Sequence, residues 1–341
     1  MELSKAVNDK IQDLLTELNI TETSPIIEDM LTVVAKLATE TSDAHDLKII
    51  RSTLKELRYA FKVFAPYRSQ RKVCVFGSAR TPEDHPDYLL AKAFSERITQ
   101  DGFMVITGAG GGIMAAGNEG AAQGSSFGVN IRLPFEQDPN PFIAGSKKLV
   151  SFKYFFNRKL TFFKESDASV VFPGGFGTHD EAFEALTLLQ TGRGRPRPII
   201  FMASPGNPYW EKWDDFIRTE LLKNELISPE DTELYTIANS AEEAAEEIRR
   251  FYVRFHSIRY FKDTVVIRME KPLSQESLGY LDSAFRLLTK EGFSQMSADA
   301  LPEELVADAE DFPDKTRLVF RFHQKSYGHL MALVKLLNQL D

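Results

Sequence analysis

A glycine-rich loop, residues 173–181, has the sequence Pro-Gly-Gly-Phe-Gly-Thr-His-Asp-Glu and lies between a strand pattern and a helix pattern. Glycines let a backbone approach a ligand closely, and a helix N-terminus offers free N–H groups and the positive end of the helix dipole. A phosphate or another anion is therefore the expected ligand of this loop. Glu181 is expected in the first turn of the following helix, where its carboxylate could act on whatever group the phosphate carries.

Thr178 and Glu181 also have the spacing of a capping box, in which the threonine caps the helix and the glutamate bonds back to the threonine N–H. From these two residues alone, that purely structural interpretation stays open. Gly174, Gly175 and Gly177 favour ligand binding, because a helix start does not need three glycines and each adds to the entropy lost on folding.

The composition indicates a globular protein of enzyme size. The 341 residues are enough for two or three domains, and no apolar run approaches the roughly 18 residues of a membrane span. The N-terminus lacks the basic and apolar regions of a signal peptide, and the single cysteine, Cys74, excludes an intrachain disulfide framework. We therefore expect a cytoplasmic protein with no membrane partner.

Charge and histidine spacing exclude two further classes of partner. The formal net charge is -8, which argues against a nucleic-acid partner, because such binding needs a basic face. The six histidines show no HExxH or similar pairing, so no metal site is expected. A small anionic ligand, by contrast, needs only a few local cations.

Three segments follow one another along the chain. Residues 1–70 have amphipathic helix spacing and are expected to form an N-terminal helical extension, which covers the main domain or forms a dimer face. Residues 71–255 alternate strand and helix patterns, which predicts an α/β fold: a Rossmann-like doubly wound parallel sheet. Residues 256–341 are expected to form a small C-terminal α+β module with an interface or regulatory role, in which the charge-rich stretch 302–315 is a solvated surface.

The local patterns predict the elements of the two later segments. Strands are expected over residues 73–76, 103–107, 126–131, 168–172, 198–202, 264–269 and 316–322, and near Phe293. Helices are expected after Asp84 and Gly112, from Thr178, near Pro208, from Ala241, and over residues 274–290 and 326–340.

Ligands in doubly wound sheets bind at the carboxyl ends of the strands. Two more glycine-rich segments fall at such ends, one after the first strand and one after the second, so we count their residues among the candidate ligand-binding positions. These residues are Gly77 and Ser78, then Gly108, Gly110, Gly111 and Gly112.

The second segment matches neither common nucleotide-binding loop. Ala115 stands where the third glycine of G-x-G-x-x-G would be, and Asn130 stands where an acidic residue would bind a ribose. A Walker A loop is excluded, because Gly117 is followed by Asn118 and not by lysine. What remains is a nucleoside monophosphate or sugar phosphate held by backbone N–H groups.

Two adjacent cations, Arg158 and Lys159, lie between these loops. A planar guanidinium suits bidentate recognition of phosphate, and the lysine could add charge or pair with a carboxylate. Such side chains by themselves are most often surface cations. The glycine loop about fifteen residues later favours a functional role.

The pairing of Arg158-Lys159 with residues 173–181 resembles the LOG (lonely guy) family of Rossmann-like phosphoribohydrolases, once widely mislabelled as lysine decarboxylases. The resemblance covers about residues 71–252 and includes the segments 76–80, 130–137 and 187–192. It implies hydrolysis of the N-glycosidic bond of nucleoside 5′-monophosphates, of the AMP or cytokinin type, to a free base and ribose 5-phosphate. It further implies no metal or organic cofactor, and a homodimer or larger homo-oligomer.

Carried over by position, the resemblance also assigns roles to single residues. Arg158 and Glu181 would be the catalytic pair, and Glu136 would line the base or ribose side. The other implied substrate-binding residues are Lys159, Gly174, Gly175, Gly177 and Thr178.

Two positions depart from the family pattern, which leaves the preferred base open. Ala115 stands where longer members have a glutamate, and His179 stands where an aliphatic residue is more common. Two other functions also stay open. A non-catalytic nucleotide or cofactor carrier could use the same pocket, although the presence of both Arg158 and Glu181 argues against it. Amino-acid decarboxylation would require pyridoxal phosphate on a Schiff-base lysine, which would give the pure protein an absorbing cofactor.

Overall fold

The computed structural model describes residues 4–21, 23–41, 43–122, 124–133, 138–289, 291–323 and 326–341. The chain forms two compact units, Met1–Tyr59 and Ala60–Asp341. The first contains the helices Lys5–Glu17 (α1) and Ser24–Glu40 (α2) and most of Ala44–Phe64 (α3). The helices predicted for this segment are therefore present, and no helix in the described ranges is long and apolar enough to cross a membrane.

A seven-stranded parallel sheet is the centre of the second unit. Its strands are Lys72–Phe76 (β1), Met104–Thr107 (β2), Ser126–Ile131 (β3), Leu149–Phe152 (β4), Ala168–Val171 (β5), Ile199–Met202 (β6) and Thr236–Ala238 (β7). They are arranged in the order β4-β3-β2-β1-β5-β6-β7. Cys74 and Phe76 of β1 contribute to one hydrophobic cluster, and Val73 and Val75 contribute to another. Since side chains alternate across a strand, the sheet is covered on both faces.

Helices connect the strands, as the doubly wound prediction requires. They are Pro86–Gln100 (α4), Ile113–Gly120 (α5), Phe155–Glu165 (α6), Phe176–Gln190 (α7), Tyr209–Phe216 (α8) and Ala241–Phe251 (α9). A π-helical segment, Ile217–Leu222, continues α8, and a 3-10 helix spans Pro229–Leu234. The predicted Rossmann-like fold class is confirmed, although the local patterns missed α6 and the short strands β4 and β7.

The strand order places one crevice at the centre of the sheet. β1 pairs with β2 on one side and with β5 on the other. The chain winds outward from β1 to β4 and then returns to β5, so the winding direction reverses between β1 and β5. Ligands of such sheets bind outside the carboxyl ends of the strands at this reversal.

The rest of the unit is a smaller antiparallel module, which confirms the predicted α+β character. Its elements are Phe255–Phe261 (β8), Thr264–Met269 (β9), Gln275–Ala284 (α10), Ser294–Met296 (β10), Val306–Ala309 (α11), Thr316–Arg321 (β11) and Tyr327–Leu337 (α12), with 3-10 helices at Ala298–Ala300 and Glu303–Leu305. The strands follow the order β10-β11-β9-β8. β8 was not predicted. The helix predicted to reach residue 290 ends at Ala284, and the chain continues in turns before Thr289 forms a bridge with Phe322.

The stretch 302–315 is not simply a solvated surface, and that prediction is wrong. Asp308 is fully buried, as is Arg317 of β11. The carboxylate of Asp308 accepts hydrogen bonds from Arg268 Nη2 at 2.6 Å and from Arg317 Nε at 3.1 Å. The two arginines come from neighbouring strands, so the local run of charges gave no sign of the cluster.

Candidate functional site

The backbone of Ser78 joins three loops at the carboxyl ends of the strands. Its N–H donates to the carbonyl oxygen of Pro173 at 3.1 Å, and its carbonyl accepts from the N–H of Ile113 at 3.0 Å. These bonds connect the loop after β1 with the loop after β5 and with the start of α5. The structure therefore brings the three predicted glycine-rich segments together at the reversal point of the sheet.

The glycines of the first two loops permit close packing of backbone against backbone and side chain. Gly112 has φ +57°, and a Cβ there would lie 2.2 Å from the carbonyl oxygen of Ser78. A Cβ on Gly77 would lie 2.7 Å from the side chain of Ile113, and one on Gly108 would lie 2.6 Å from Met114 Sδ. Gly110 is similarly close to Met114, whereas Gly111 is half-buried beside it. The contacts of Gly77, Gly108 and Gly110 are thus packing contacts with α5.

A buried polar network shapes the loop after β2, and the sequence gave no local sign of it. Asn118 Oδ1 accepts from Thr107 Oγ1 at 2.7 Å and from Asn140 Nδ2 at 3.0 Å. Asn140 Nδ2 also donates to the carbonyl of Gly110, and its backbone N–H donates to the carbonyl of Ala109. Ala109 has φ +62°, a conformation that non-glycine residues adopt rarely. These bonds fix the loop in that conformation.

Helix α7 begins at Phe176, and Gly175 is its N-cap without any capping side chain. The prediction that Thr178 caps the helix is wrong: Thr178 is in the first turn, and its N–H donates to the carbonyl of Gly175 at 3.0 Å. The second prediction, that Glu181 lies in the first turn, fails for the same reason, because the earlier start places Glu181 in the second turn. An uncapped helix start leaves N–H groups available to an anion.

The loop before α7 is fixed from two sides. A Cβ on Gly174 would lie 2.1 Å from Thr178 Oγ1 and 2.9 Å from the backbone nitrogen of Ser78. The hydroxyl of Tyr209, at the start of α8, donates to the carbonyl of Gly174. His179 packs against this same tyrosine with ring centroids 5.9 Å apart. Tyr209 was missed from sequence, because it lies 35 residues away.

Glu181 meets two cations from α6. Arg158 Nη2 donates to Glu181 Oε1 at 3.3 Å, and Lys159 Nζ lies 3.8 Å from Glu181 Oε2. The side chain of Glu181 is 5% exposed, and each cation is 15% exposed. Lys159 also lies 2.9 Å from Asp180 and 3.7 Å from Glu184. Arg158, Lys159 and Glu181, singled out in the sequence, therefore form one buried ionic group.

Burial raises the pKa of Glu181 above its ordinary value, while the positive charges of Arg158 and Lys159 oppose that rise. Glu181 Oε2 is buried and accepts no hydrogen bond. The guanidinium of Arg158 lies 5.0 Å from the ring centroid of Phe155 and 5.6 Å from that of Phe162. A carboxylate deprived of water and fixed beside an oriented arginine can stabilise positive charge or orient a water molecule.

Two further residues were singled out from the sequence. Glu136 lies outside the described residues. Ala115 is buried on α5. Within the described ranges, no group of three or more histidine, cysteine or acidic side chains could hold a metal ion.

Comparison with known proteins gives a match to one family model and to distant relatives. The family model described as "Possible lysine decarboxylase" matches residues 112–248. The "Probable cytokinin riboside 5'-monophosphate phosphoribohydrolase LOGL6" of Oryza sativa subsp. japonica is 24% identical over 225 residues, which are 65% of this chain and 84% of that protein.

Among solved structures, the molybdenum cofactor binding protein of Rippkaea orientalis is 20% identical with a TM-score of 0.37, over 53% of this chain and 96% of that one. The molybdenum cofactor carrier protein of Chlamydomonas reinhardtii is 17% identical with a TM-score of 0.38, over 53% of this chain and 97% of that one.

The family match includes Arg158, Lys159 and the whole loop that leads into α7. The rice protein matches over most of its own length. Residues 112–248, which carry the ionic group of Arg158, Lys159 and Glu181, are therefore similar to this family, and the match supports the resemblance to the LOG family.

Proposed function

We propose that this protein hydrolyses the N-glycosidic bond of nucleoside 5′-monophosphates, of the AMP or cytokinin riboside type, to a free base and ribose 5-phosphate. The observation that carries the proposal is that Glu181, about one turn from the uncapped N-terminus of α7, is buried against Arg158 of α6. The name of the rice relative supports the substrate class.

The 5′-phosphate would bind at the start of α7. Gly174 and Gly175 let the backbone approach the phosphate, and the N–H groups of the first turn point toward it. Thr178 lies between this start and Glu181, with its hydroxyl against Gly174. Binding energy from the phosphate would position the distant glycosidic bond, so a nucleoside without phosphate should be a poor substrate.

The bond that breaks joins C1′ of the ribose to a ring nitrogen of the base. The electron pair leaves with the base, and positive charge develops on the ribose, as in glycoside hydrolysis. The carboxylate of Glu181 would stabilise that charge and orient the water that attacks C1′. The water oxygen bonds to C1′, one of its protons is released, and the departing base takes up a proton.

Arg158 and Lys159 help to keep Glu181 ionised, as this role requires. Burial alone would favour the neutral carboxylic acid, which stabilises no positive charge. The two cations favour the ionised form and oppose the rise in the pKa of Glu181. Arg158, whose guanidinium lies near the rings of Phe155 and Phe162, would also be placed to contact the substrate anion.

The direct test is to incubate the purified protein with AMP, with a cytokinin riboside monophosphate and with the corresponding nucleosides. Free base and ribose 5-phosphate are measured by chromatography. We expect product from one or more monophosphates and none from the nucleosides. Product from nucleosides at the same rate would contradict the role of the phosphate loop.

The role of Glu181 is tested by Glu181→Gln, which keeps the size of the side chain. We expect turnover to fall by about 10²–10⁴, the range that one positioned acid-base or charge-stabilising group contributes. Glu119→Gln is the matched control, since Glu119 is also paired with a lysine, Lys92, but lies at the far end of α5. Binding of monophosphate without turnover in the wild type would point instead to a nucleotide carrier.

A further inference from the structure

A cavity of about 840 Å³ lies at the end of the strands opposite to the glycine loops. Lys72, the first residue of β1, lines it, as do Asp167 just before β5 and Arg197 just before β6. The cavity therefore opens at the amino ends of the strands. Its far wall is formed by α6 and α7, the helices that also carry Arg158 and Glu181.

The lining of this cavity has a large excess of positive charge. Eight lysine or arginine side chains line it, against three acidic ones. Each acidic residue already has a cationic partner: Asp167 pairs with Arg71 at 3.4 Å, Glu184 with Lys159 at 3.7 Å, and Glu165 with Lys164. The five remaining cations have no carboxylate partner within the described ranges; they are Arg68, Lys72, Arg193, Arg195 and Arg197.

Two of these unpaired cations are buried, each 3% exposed: Lys72 and Arg197. Lys72 Nζ donates to the carbonyls of Tyr67 and Gln70, and Arg197 Nη1 donates to the carbonyl of Phe163. Arg197 Nε is buried without a hydrogen-bond partner among the described residues. The carboxylates of Asp167 and Glu165 act on Lys72 only at longer range and are already paired with other cations, so the buried charges are only partly compensated. Burial lowers the pKa of both side chains, which reflects the same cost. A bound anion would supply the missing negative charge.

The other lining residues indicate which further groups the ligand contains. Arg68, Arg193 and Arg195 are exposed at its rim, where guanidinium groups can engage phosphate oxygens. Phe156 and Leu160 of α6 contribute an apolar wall and are themselves about half exposed. The chain as a whole has a net charge of -8, so the positive charge is local to this cavity.

We propose that this cavity is a second anion-binding site, distinct from the glycine loops. Its ligand is a small organic phosphate with two or more negative charges and an apolar or aromatic group, such as a nucleoside polyphosphate. Several unpaired cations match several phosphate charges, and the wall of Phe156 and Leu160 matches a ring.

A ligand bound in the cavity would affect the ionisation of Glu181 through Lys159. Lys159 lines the cavity, and its Nζ lies 3.8 Å from Glu181 Oε2. A phosphate that attracts Lys159 weakens the support that this lysine gives to the ionised carboxylate. This consequence for turnover rests on the proposed function, whereas binding in the cavity does not.

Binding is measured by titration calorimetry at fixed ionic strength with two probes, inorganic pyrophosphate and ATP. Gly174→Ala obstructs the loop at the carboxyl ends, because its Cβ would lie 2.1 Å from Thr178 Oγ1. Arg193→Ala with Arg195→Ala removes two rim cations. Arg218→Ala with Arg321→Ala is the matched control, since both arginines are about half exposed and lie outside the cavity. Circular dichroism checks that every variant folds.

We expect ATP binding to persist in Gly174→Ala, to weaken by about tenfold or more in Arg193→Ala with Arg195→Ala, and to change less than about twofold in the control. ATP should bind more tightly than pyrophosphate, since only ATP can use the apolar wall. Binding that is lost in Gly174→Ala and retained without the rim arginines would overturn the proposal. So would the absence of binding of either probe to the wild type at about 5 mM. Neither outcome depends on whether nucleotide hydrolysis is detected.

Discussion

The ionisation of Glu181 depends on burial and on two cations that act in opposite directions. Burial raises its pKa, and the charges of Arg158 and Lys159 lower it, with a net rise. If the ionised carboxylate is the active form, turnover should fall as the pH drops through this raised pKa. The acidic limb of the kcat profile should therefore lie above the ordinary glutamate value of about 4.3.

Replacing Lys159 with methionine should move that acidic limb to still higher pH, because one of the two stabilising charges is gone. The measurement is kcat against pH for the wild type and the variant. Lys164→Met is the control, since Lys164 is on the same helix but pairs with Glu165. An acidic limb at the same pH in Lys159→Met and in the wild type would show that this lysine does not act on the catalytic carboxylate.

The raised pKa of Glu181 also makes a prediction about stability. A carboxyl group with a higher pKa in the folded state than in the unfolded state binds protons more tightly when folded. Its contribution to the free energy of unfolding therefore decreases as the pH rises from the unfolded pKa through the folded pKa. Glu181→Gln cannot take up this proton, so its thermal midpoint relative to that of the wild type should rise as the pH increases from about 4 to about 8.

Calorimetric scans at several pH values measure this difference. The difference in midpoint should be least favourable to the variant near pH 4, where Glu181 is protonated in both states. Glu119→Gln should give the opposite sign, because the pKa of Glu119 is lowered, with hydrogen bonds from Lys92 and Tyr88 outweighing burial. A difference in midpoint between Glu181→Gln and the wild type that stays constant from about pH 4 to about pH 8 would contradict the stated electrostatics of the site.

At the scale of single elements, the loop between β5 and α7 depends on the absence of a side chain at position 174. A Cβ there would lie 2.1 Å from Thr178 Oγ1 and 2.9 Å from the backbone nitrogen of Ser78, so one of the two must shift. In Gly174→Ala we expect KM for a monophosphate to rise by about tenfold or more, since the phosphate contacts are distorted. Steady-state kinetics measure this.

Gly279→Ala is the control for the loop variant, because Gly279 is in α10 with nothing within 4 Å of the added Cβ. It should leave KM unchanged and stabilise the helix by about 0.5–1 kcal/mol. If Gly174→Ala binds and turns over substrate like this control, the loop before α7 does not hold the phosphate.

The elements that were predictable from sequence are those with a strong local signal. The strands over β1, β2, β3, β5 and β6 were visible because buried parallel strands form continuous apolar runs. β7 has only three residues, which is too short for a period to show. The helix start was misplaced because Thr178 with Glu181 fits a capping box, whereas the glycines let α7 begin earlier without a polar cap.

The candidate site was predictable only where its residues are close in sequence. The glycine loops and the pair Arg158-Lys159 could be recognised from types and spacing. Tyr209 and Asn140 could not, since their contacts with Gly174 and Gly110 span 35 and 30 residues. The same holds for the cationic cavity, whose residues come from several separate segments.

At the scale of the whole molecule, the parallel sheet and the C-terminal module share one core. A single hydrophobic cluster contains Phe201 of the parallel sheet, Ile267 of β9 and Leu333 of α12. Shared apolar contacts of this kind make unfolding cooperative between the parts they connect. A substitution that destabilises the C-terminal module should therefore also destabilise the parallel sheet.

Asp308 is the residue of the module at which such a substitution can be made. Asp308→Asn leaves Arg317 buried without a carboxylate and removes one of the two carboxylates that pair with Arg268, and breaking a buried pair in this way costs about 3–5 kcal/mol. Urea unfolding should give a correspondingly lower free energy of unfolding. Asp314→Asn is the control, because Asp314 is exposed and an exposed ion pair such as that with Lys315 contributes little to stability.

The two tryptophans make the shared core testable with the same variant. Trp210 and Trp213 are both buried in α8, beside the parallel sheet, and the module contains neither. If the core is continuous, the tryptophan fluorescence transition of Asp308→Asn shifts to lower urea together with the far-ultraviolet circular dichroism transition. A fluorescence transition that stays at the wild-type midpoint while part of the dichroism is lost earlier would mean that the module unfolds by itself. In that case the buried cluster of Asp308 would stabilise only its own antiparallel sheet.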